Sequence, residues 1–183
     1  MPDYVTESVI RPAALLTRDA IRAIYEDCRG KTLVAARQSL GPAVRLIVRQ
    51  MLPTDLQETN NVWTDQTSGT DNGFENSIIA NQVVANERFI GVYGAVYSGT
   101  QAVSVVRFTV KSRILAYWDF SCIISDDERL ESRTAYTLSP FVIPQNINVL
   151  IESYTRLAGG TAQSTEIAYQ GIVVEKAGRT IDA

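Results

Sequence analysis

The sequence predicts a mainly β protein: an antiparallel β-sandwich or jelly roll preceded by an N-terminal helical segment. Three observations predict it. From about residue 78 the chain breaks into roughly eight short runs rich in Val, Ile, Tyr, Phe and Thr, the residues that suit a pleated, half-buried surface. Turn signals separate the runs: Ser98-Gly99-Thr100, Ser125-Asp126-Asp127, Ser139-Pro140 and Ala158-Gly159-Gly160-Thr161. No helical period is interleaved among them, which argues against a parallel α/β layout.

Residues 1–53 read as an N-terminal arm carrying a helix at about 18–29. Thr17 stands at the N-cap position, and Ile21, Ile24, Tyr25 and Cys28 follow at i, i+3, i+4 and i+7 as one apolar stripe. Gly30 supplies the expected stop. Leu33 to Leu40 is expected to add a short second helix, ended by Gly41-Pro42. Ala43 to Leu52 fits either period, and strand is preferred; Pro53 ends it. Residues 54–77 read as a long polar loop with Trp63 and Phe74 as its apolar anchors. Residues 78–183 read as the β-sandwich, with strands at 78–84, 88–97, 102–110, 113–124, 134–138, 141–143, 147–155 and 165–175.

Several of these strands are apolar on both parities. Phe89-Ile90-Gly91-Val92-Tyr93-Gly94-Ala95-Val96-Tyr97 loses the alternation of a sheet with one wet face, and so does the stretch from Ala168 to Val174. The second face must therefore be covered, either by the N-terminal helix or by another subunit. Ile21, Ile24, Tyr25, Trp63, Phe74, Tyr93 and Tyr97 are the candidate interface residues on this reading.

The residues for most chemistries are missing. The chain has no histidine, which removes Ser-His-Asp and Cys-His catalysis and every His-bearing zinc site. Two cysteines cannot make a Cys₄ site; Cys28 and Cys122 read as buried free thiols, with one long-range bridge as the alternative. Gly30-Lys31-Thr32 ends like a phosphate-binding loop, but the position of the earlier glycine is Tyr25 and a helix, not a strand, precedes it. Asp126, Asp127, Glu128 and Glu131 lack calcium-loop spacing and read as a solvated, salt-bridged turn with Arg129 and Arg133. A two-carboxylate glycosidase would have to draw on Asp119, Glu152 and Glu175, which read as outward-facing strand residues. No enzyme activity, cofactor or metal is expected.

The formal net charge is −3, but it is uneven. Residues 1–52 hold eight basic and five acidic residues, while 53–183 hold nine and fifteen. A positive head on a negative body favours head-to-body contact, and no direct nucleic-acid binding is expected. No apolar run approaches the roughly eighteen residues of a membrane span, and the N-terminus does not read as a secretory signal.

The stretch from Thr165 to Ile181 (TEIAYQGIVVEKAGRTI) and the strand Ile90-Gly91-Val92-Tyr93-Gly94 resemble the strands of small virion proteins of tailed phages, of the β-sandwich decoration (cement) or minor capsid type. The likeness covers about residues 78–181 in texture and carries no catalytic residues over. It implies a non-catalytic subunit in the virion, a homo-oligomer that binds other virion proteins and in particular the major capsid protein. A carbohydrate- or receptor-binding β-sandwich module is the alternative expectation.

Overall fold

In a computed structural model the described residues are 11–12, 18–56, 64–67, 74–99, 103–120, 132–155 and 163–178. They form ten strands and one long helix. In chain order these are β1 (Arg11–Pro12), α1 (Arg18–Leu40), β2 (Leu46–Gln50), β3 (Thr64–Thr67), β4 (Phe74–Val83), β5 (Arg88–Gly99), β6 (Val103–Val110), β7 (Arg113–Asp119), β8 (Ser132–Ile143), β9 (Asn148–Thr155) and β10 (Gln163–Lys176). A short 3₁₀ turn covers Pro53–Leu56.

All the strand pairs are antiparallel, in two sheets. Sheet A runs β1-β8-β5-β10-β2, with β3 also on β10; sheet B runs β4-β9-β6-β7. Taken from β3 onward, the orders β3-β10-β5-β8 and β4-β9-β6-β7 are those of an eight-stranded jelly roll. Between the sheets lies one core that includes Ile90, Val92, Tyr97, Val106, Phe108, Trp118, Ile151, Ile167, Tyr169 and Val173. Phe108 anchors it, edge-on to Trp118 at 5.2 Å and to Tyr169 at 4.9 Å.

The expected strands are present in part: of the run 113–124 the strand covers 113–119, residues 121–124 lie outside the described residues, and two further changes follow. The runs 134–138 and 141–143 fuse into the single strand β8. Pro140 is accommodated because the β5 ladder skips there, pairing Val92 with Phe141 and then Gly94 with Tyr136. The segment 54–77 is not one long loop: it contains the 3₁₀ turn and β3, and Phe74 already starts β4. Thr64-Asp65-Gln66-Thr67 has no apolar signature; it is a strand because its backbone pairs with residues 163–166 of β10. Thr17, Trp63, Cys122 and the acidic turn at 126–131 lie outside the described residues.

The helix does not stop at Gly30 but runs 23 residues to Leu40, absorbing the expected second helix. Gly30 is exposed and a Cβ there would meet nothing, so it costs propensity alone, about 1 kcal/mol. The actual stop is Gly41, with φ +97° and its N–H donating to Arg37 O at 3.0 Å. The buried face is Ile24, Cys28, Thr32 and Ala36, a four-residue period of mostly small side chains. It packs on the outer face of sheet A, where Ala36, Phe89 and Val174 form a second cluster with Leu33, Leu40 and Leu46. Alternation is lost in β5 and β10 because one parity faces sheet B and the other faces α1. Of the two covers expected for that face, the helix is the one present, and the segment read as an arm is built into the sandwich.

Cys28 and Tyr93 sit in this helix–sheet layer. Burial pushes the Cys28 thiol up from 9.0 to about 12, partly opposed by its hydrogen bond with Thr32. Burial, then Tyr136, pushes the Tyr93 phenol up to about 12. Both groups are neutral when protonated, so the folded state holds their protons more tightly than the unfolded chain does. Their contribution is fully present below the ordinary thiol value of 9.0 and is lost as the pH rises toward about 12. Thermal melts across that interval should show a falling Tm, and Cys28→Ala should lessen the fall. A flat Tm profile over the interval would contradict this burial.

Candidate interface on the outer face of sheet B

Sheet A has α1 on its outer face. No described helix covers the outer face of sheet B, so its outward residues define the candidate site. In β6, Val106 and Phe108 point into the core, which turns Arg107 outward. The registers align Tyr117 of β7, Arg107 of β6 and Glu152 of β9 in one row across the sheet. The next row holds Val105, Tyr154 and Phe74.

These rows interlock. Arg107 Nε and Nη2 donate to the two Glu152 carboxylate oxygens at 2.5 and 2.7 Å, a bidentate pair. The same guanidinium lies 3.9 Å from the centre of the Phe74 ring. Phe74 packs edge-on to Tyr154 at 5.3 Å and to Tyr117 at 6.1 Å. The Glu152 hydrogen bonds hold Arg107 protonated above its already high ordinary value. The result is a fixed platform of one arginine and three aromatic rings, from which Tyr117 projects 43% exposed. Ile114 and Leu115, on the same strand, are 57% and 41% exposed. Aromatic and arginine side chains held rigidly at a surface are the residue types that dominate protein interfaces.

Removing Arg107 would leave the Glu152 carboxylate without its partner under the rings. Arg107→Met is expected to cost about 1–3 kcal/mol, with part of that regained in the double variant Arg107→Met, Glu152→Gln. Urea midpoints at unchanged slope would measure it.

The candidate residues read from the sequence fall in three places. Ile24 is buried and Ile21 and Tyr25 half-buried on the helix, with Tyr25 edge-on to Tyr93 at 5.9 Å. Tyr93 also stacks on Tyr136 at 6.3 Å. Tyr97 is 2% exposed and stacks on Phe120 inside the core, so its ring has no surface to offer a second subunit. Phe74 alone belongs to the sheet B platform. Arg107 is not singled out by the sequence, and Tyr117 and Tyr154 stand there only in a general aromatic supply, with Tyr93, Tyr97, Trp118, Tyr136 and Tyr169, that suits sugar stacking or a subunit interface but reads by default as core. The available signal was Val105-Val106-Arg107-Phe108-Thr109-Val110, where one arginine interrupts an apolar strand at the outward parity.

Of the three carboxylates a glycosidase would have to use, Glu152 and Glu175 are paired with arginines. Glu152 faces outward as expected but is buried, 7% exposed. Glu175 does not face solvent: it is 1% exposed and bonded to Arg49 and Arg88. The side chain of Asp119 lies outside the described residues. A depression of about 360 Å³ at the β6–β7 turn is lined by Thr109, Lys111, Ser112, Asn146, Asn148 and Leu150, and no carboxylate enters it. No cluster of metal-ligating residues occurs among the described residues, and no described helix is long and apolar enough to cross a membrane.

No family model and no curated protein matches the sequence. Among solved structures, a chain of "Structure of infectious bursal disease virus Gx strain" is similar over 76% of this chain and 35% of that one, at TM-score 0.37 and 14% identity. The present chain thus spans about a third of the length of that one.

Proposed function

We propose that this chain is a non-catalytic structural subunit of a virion, binding neighbouring protein subunits through the outer face of sheet B. The observation that carries the reading is the asymmetry of the jelly roll. One sheet is sealed by α1, while the other presents the Phe74–Arg107–Tyr117–Tyr154 platform beside Ile114 and Leu115. The absence of a catalytic role is supported by the chain's lack of histidine and by the arginine partners of Asp55, Glu152 and Glu175. Carboxylate oxygens already taken up by guanidinium hydrogen bonds are not free to reach a substrate.

The virion assignment draws on the jelly-roll topology, a fold that capsid proteins share with lectin domains, and on the resemblance to phage virion strands. It is compatible with the likeness to the virus structure, which at TM-score 0.37 does not itself argue for it. Within the virion the reading is a decoration or minor capsid protein that cements the major capsid protein. Quantitative mass spectrometry of purified particles from the source should find the chain in many copies. Its consistent absence would overturn the assignment. Tyr117→Ser should leave folding within about 0.5 kcal/mol yet weaken particle binding by roughly tenfold or more.

The lectin alternative is favoured by Tyr117, whose exposed ring beside Phe74 and Arg107 would suit stacking on a sugar. Saturable binding on a glycan array, lost in Tyr117→Ser, would select that reading.

A further inference from the structure

The edges of the two sheets are not equivalent. On sheet A, the β8 edge is capped by β1 and interrupted at Pro140. The β2 edge is five residues long and carries Arg49, tied into an ion-pair network. On sheet B, β7 pairs with β6 on one side and with no described strand on the other. Its middle, Ile114-Leu115-Ala116-Tyr117-Trp118, carries no charge and no proline. Three of those five side chains are among the exposed large hydrophobics. Such an edge leaves backbone N–H and C=O groups free to pair with another strand, and proteins usually blunt edges of this kind with charge or proline.

The strand is also complementary to itself. An antiparallel pairing centred on Ala116 sets Arg113 of one copy at the register position of Asp119 in the other, at both ends. It sets Leu115 opposite Tyr117 on the outer face, with the small Ala116 on the two-fold axis. Opposite charges at the ends and apolar residues between them favour this register over its slips. A lysine or glutamate in the middle would forbid self-pairing, and none is there.

We propose that β7 is a self-association edge: two copies of this chain join their B sheets through antiparallel β7–β7 pairing into one eight-stranded sheet. The proposal rests on the reading of sheet B as the subunit-binding side and names one of its partners, a second copy. The bulge at Leu115, where Thr109 pairs with Ile114 and Phe108 with Ala116, shortens the regular ladder. A single strand pair is also a small interface, so the association should depend on concentration in free solution.

Sedimentation equilibrium over a wide concentration range, with hydrogen exchange at the low and high ends, tests it on the full chain. The expected result is reversible dimerisation accompanied by concentration-dependent protection of the β7 amides, with β4 unchanged. Leu115→Lys, at an exposed position, should keep the wild-type Tm and weaken the dimer by about tenfold or more. Arg113→Asp should also weaken it, and Arg113→Asp with Asp119→Arg should restore it. Association without β7 protection, and insensitive to Leu115→Lys, would overturn the edge pairing and leave the subunit reading standing. A chain that stays monomeric throughout would overturn the pairing too; the presence of the chain in purified particles then decides the broader reading separately.

Discussion

Glu175→Ala is expected to be among the most damaging single changes in this protein, costing about 3–5 kcal/mol. Glu175 is 1% exposed where β10 ends, at the margin of the intersheet core. Its carboxylate accepts from Arg49 Nε at 3.0 Å and from Arg88 Nε at 3.1 Å. Both arginines also reach Asp55: Arg49 Nη1 and Nη2 at 2.7 and 2.5 Å, and Arg88 Nη1 at 3.0 Å. Asp55 in turn accepts the Leu52 N–H at 2.7 Å, which fixes the 3₁₀ corner after β2. Two positive and two negative charges thus close a neutral ring linking β2, β5, β10 and the corner. Removing Glu175 leaves the ring with an excess positive charge in a place water reaches poorly, and the desolvation cost of the arginines is no longer offset.

The expected readout is a fall in Tm of about 6–20 °C, taking roughly 2–4 °C per kcal/mol for a chain of this size. The ring also predicts non-additivity. Glu175→Gln with Arg88→Met should cost less than the sum of the two single changes, by about 0.5–3 kcal/mol. Additive costs would mean that the four groups do not act as a unit.

This ring was not legible in the sequence, whereas most of the strands were. Strands such as β5 and β6 declare themselves through β-branched and aromatic runs bounded by turn residues, which is local information. Arg49, Asp55, Arg88 and Glu175 are dispersed along the chain, and only the pairings of β10 with β2 and β5 bring them together. Read alone, Glu175 at the end of Ile172-Val173-Val174 looks like a charged strand end facing solvent. The same limit hid the sheet B platform, since Arg107 and Glu152 meet only across the β6–β9 ladder. β3 was missed for a related reason: its strand state belongs to its partner and not to its composition.

The loss of alternation in β5 signals two covered faces, and its residues enter both the intersheet core and the helix-side cluster. Which cover it was could not be decided from periodicity, because a helix stripe and a subunit surface satisfy an apolar strand equally well. Gly30 reads as a stop because glycine is a frequent terminator, but tertiary packing of the far half of α1 outweighs its propensity cost and the helix runs on to Leu40. The consequence for function is direct. Among the described residues the apolar excess of sheet A is covered by α1, which turns attention to sheet B, whose outward-facing aromatics the sequence did not set apart from core residues such as Tyr97.

Gly91→Ala is the sharpest test of how α1 seals sheet A. A Cβ at Gly91 would run into Thr32 Oγ1 and would lie 2.7 Å from Cys28 Sγ and 3.3 Å from Ile172 Cγ1. The first two are buried side chains on the sheet-facing stripe of the helix, and Thr32 Oγ1 is held by its bond to Cys28 O at 2.7 Å. They cannot swing into solvent, so the helix must lift or the strand must sink into a packed core. Overpacking of this kind costs about 1–3 kcal/mol, and Gly91→Val, with its larger branched side chain, should exceed that range. Shortening the opposing residue should relieve the clash. Thr32→Ala alone is expected to destabilise by removing a buried contact, but in the Gly91→Ala background it should recover stability, giving a coupling of about 0.5–3 kcal/mol. Thiol accessibility provides an independent readout: a lifted helix exposes Cys28, so a thiol reagent should label Gly91→Ala faster than the parent in the folded state, using a Cys122→Ser background. Equal labelling rates together with an unchanged urea midpoint would mean that the helix does not rest on Gly91, and the account of sheet A as internally sealed would fail with it.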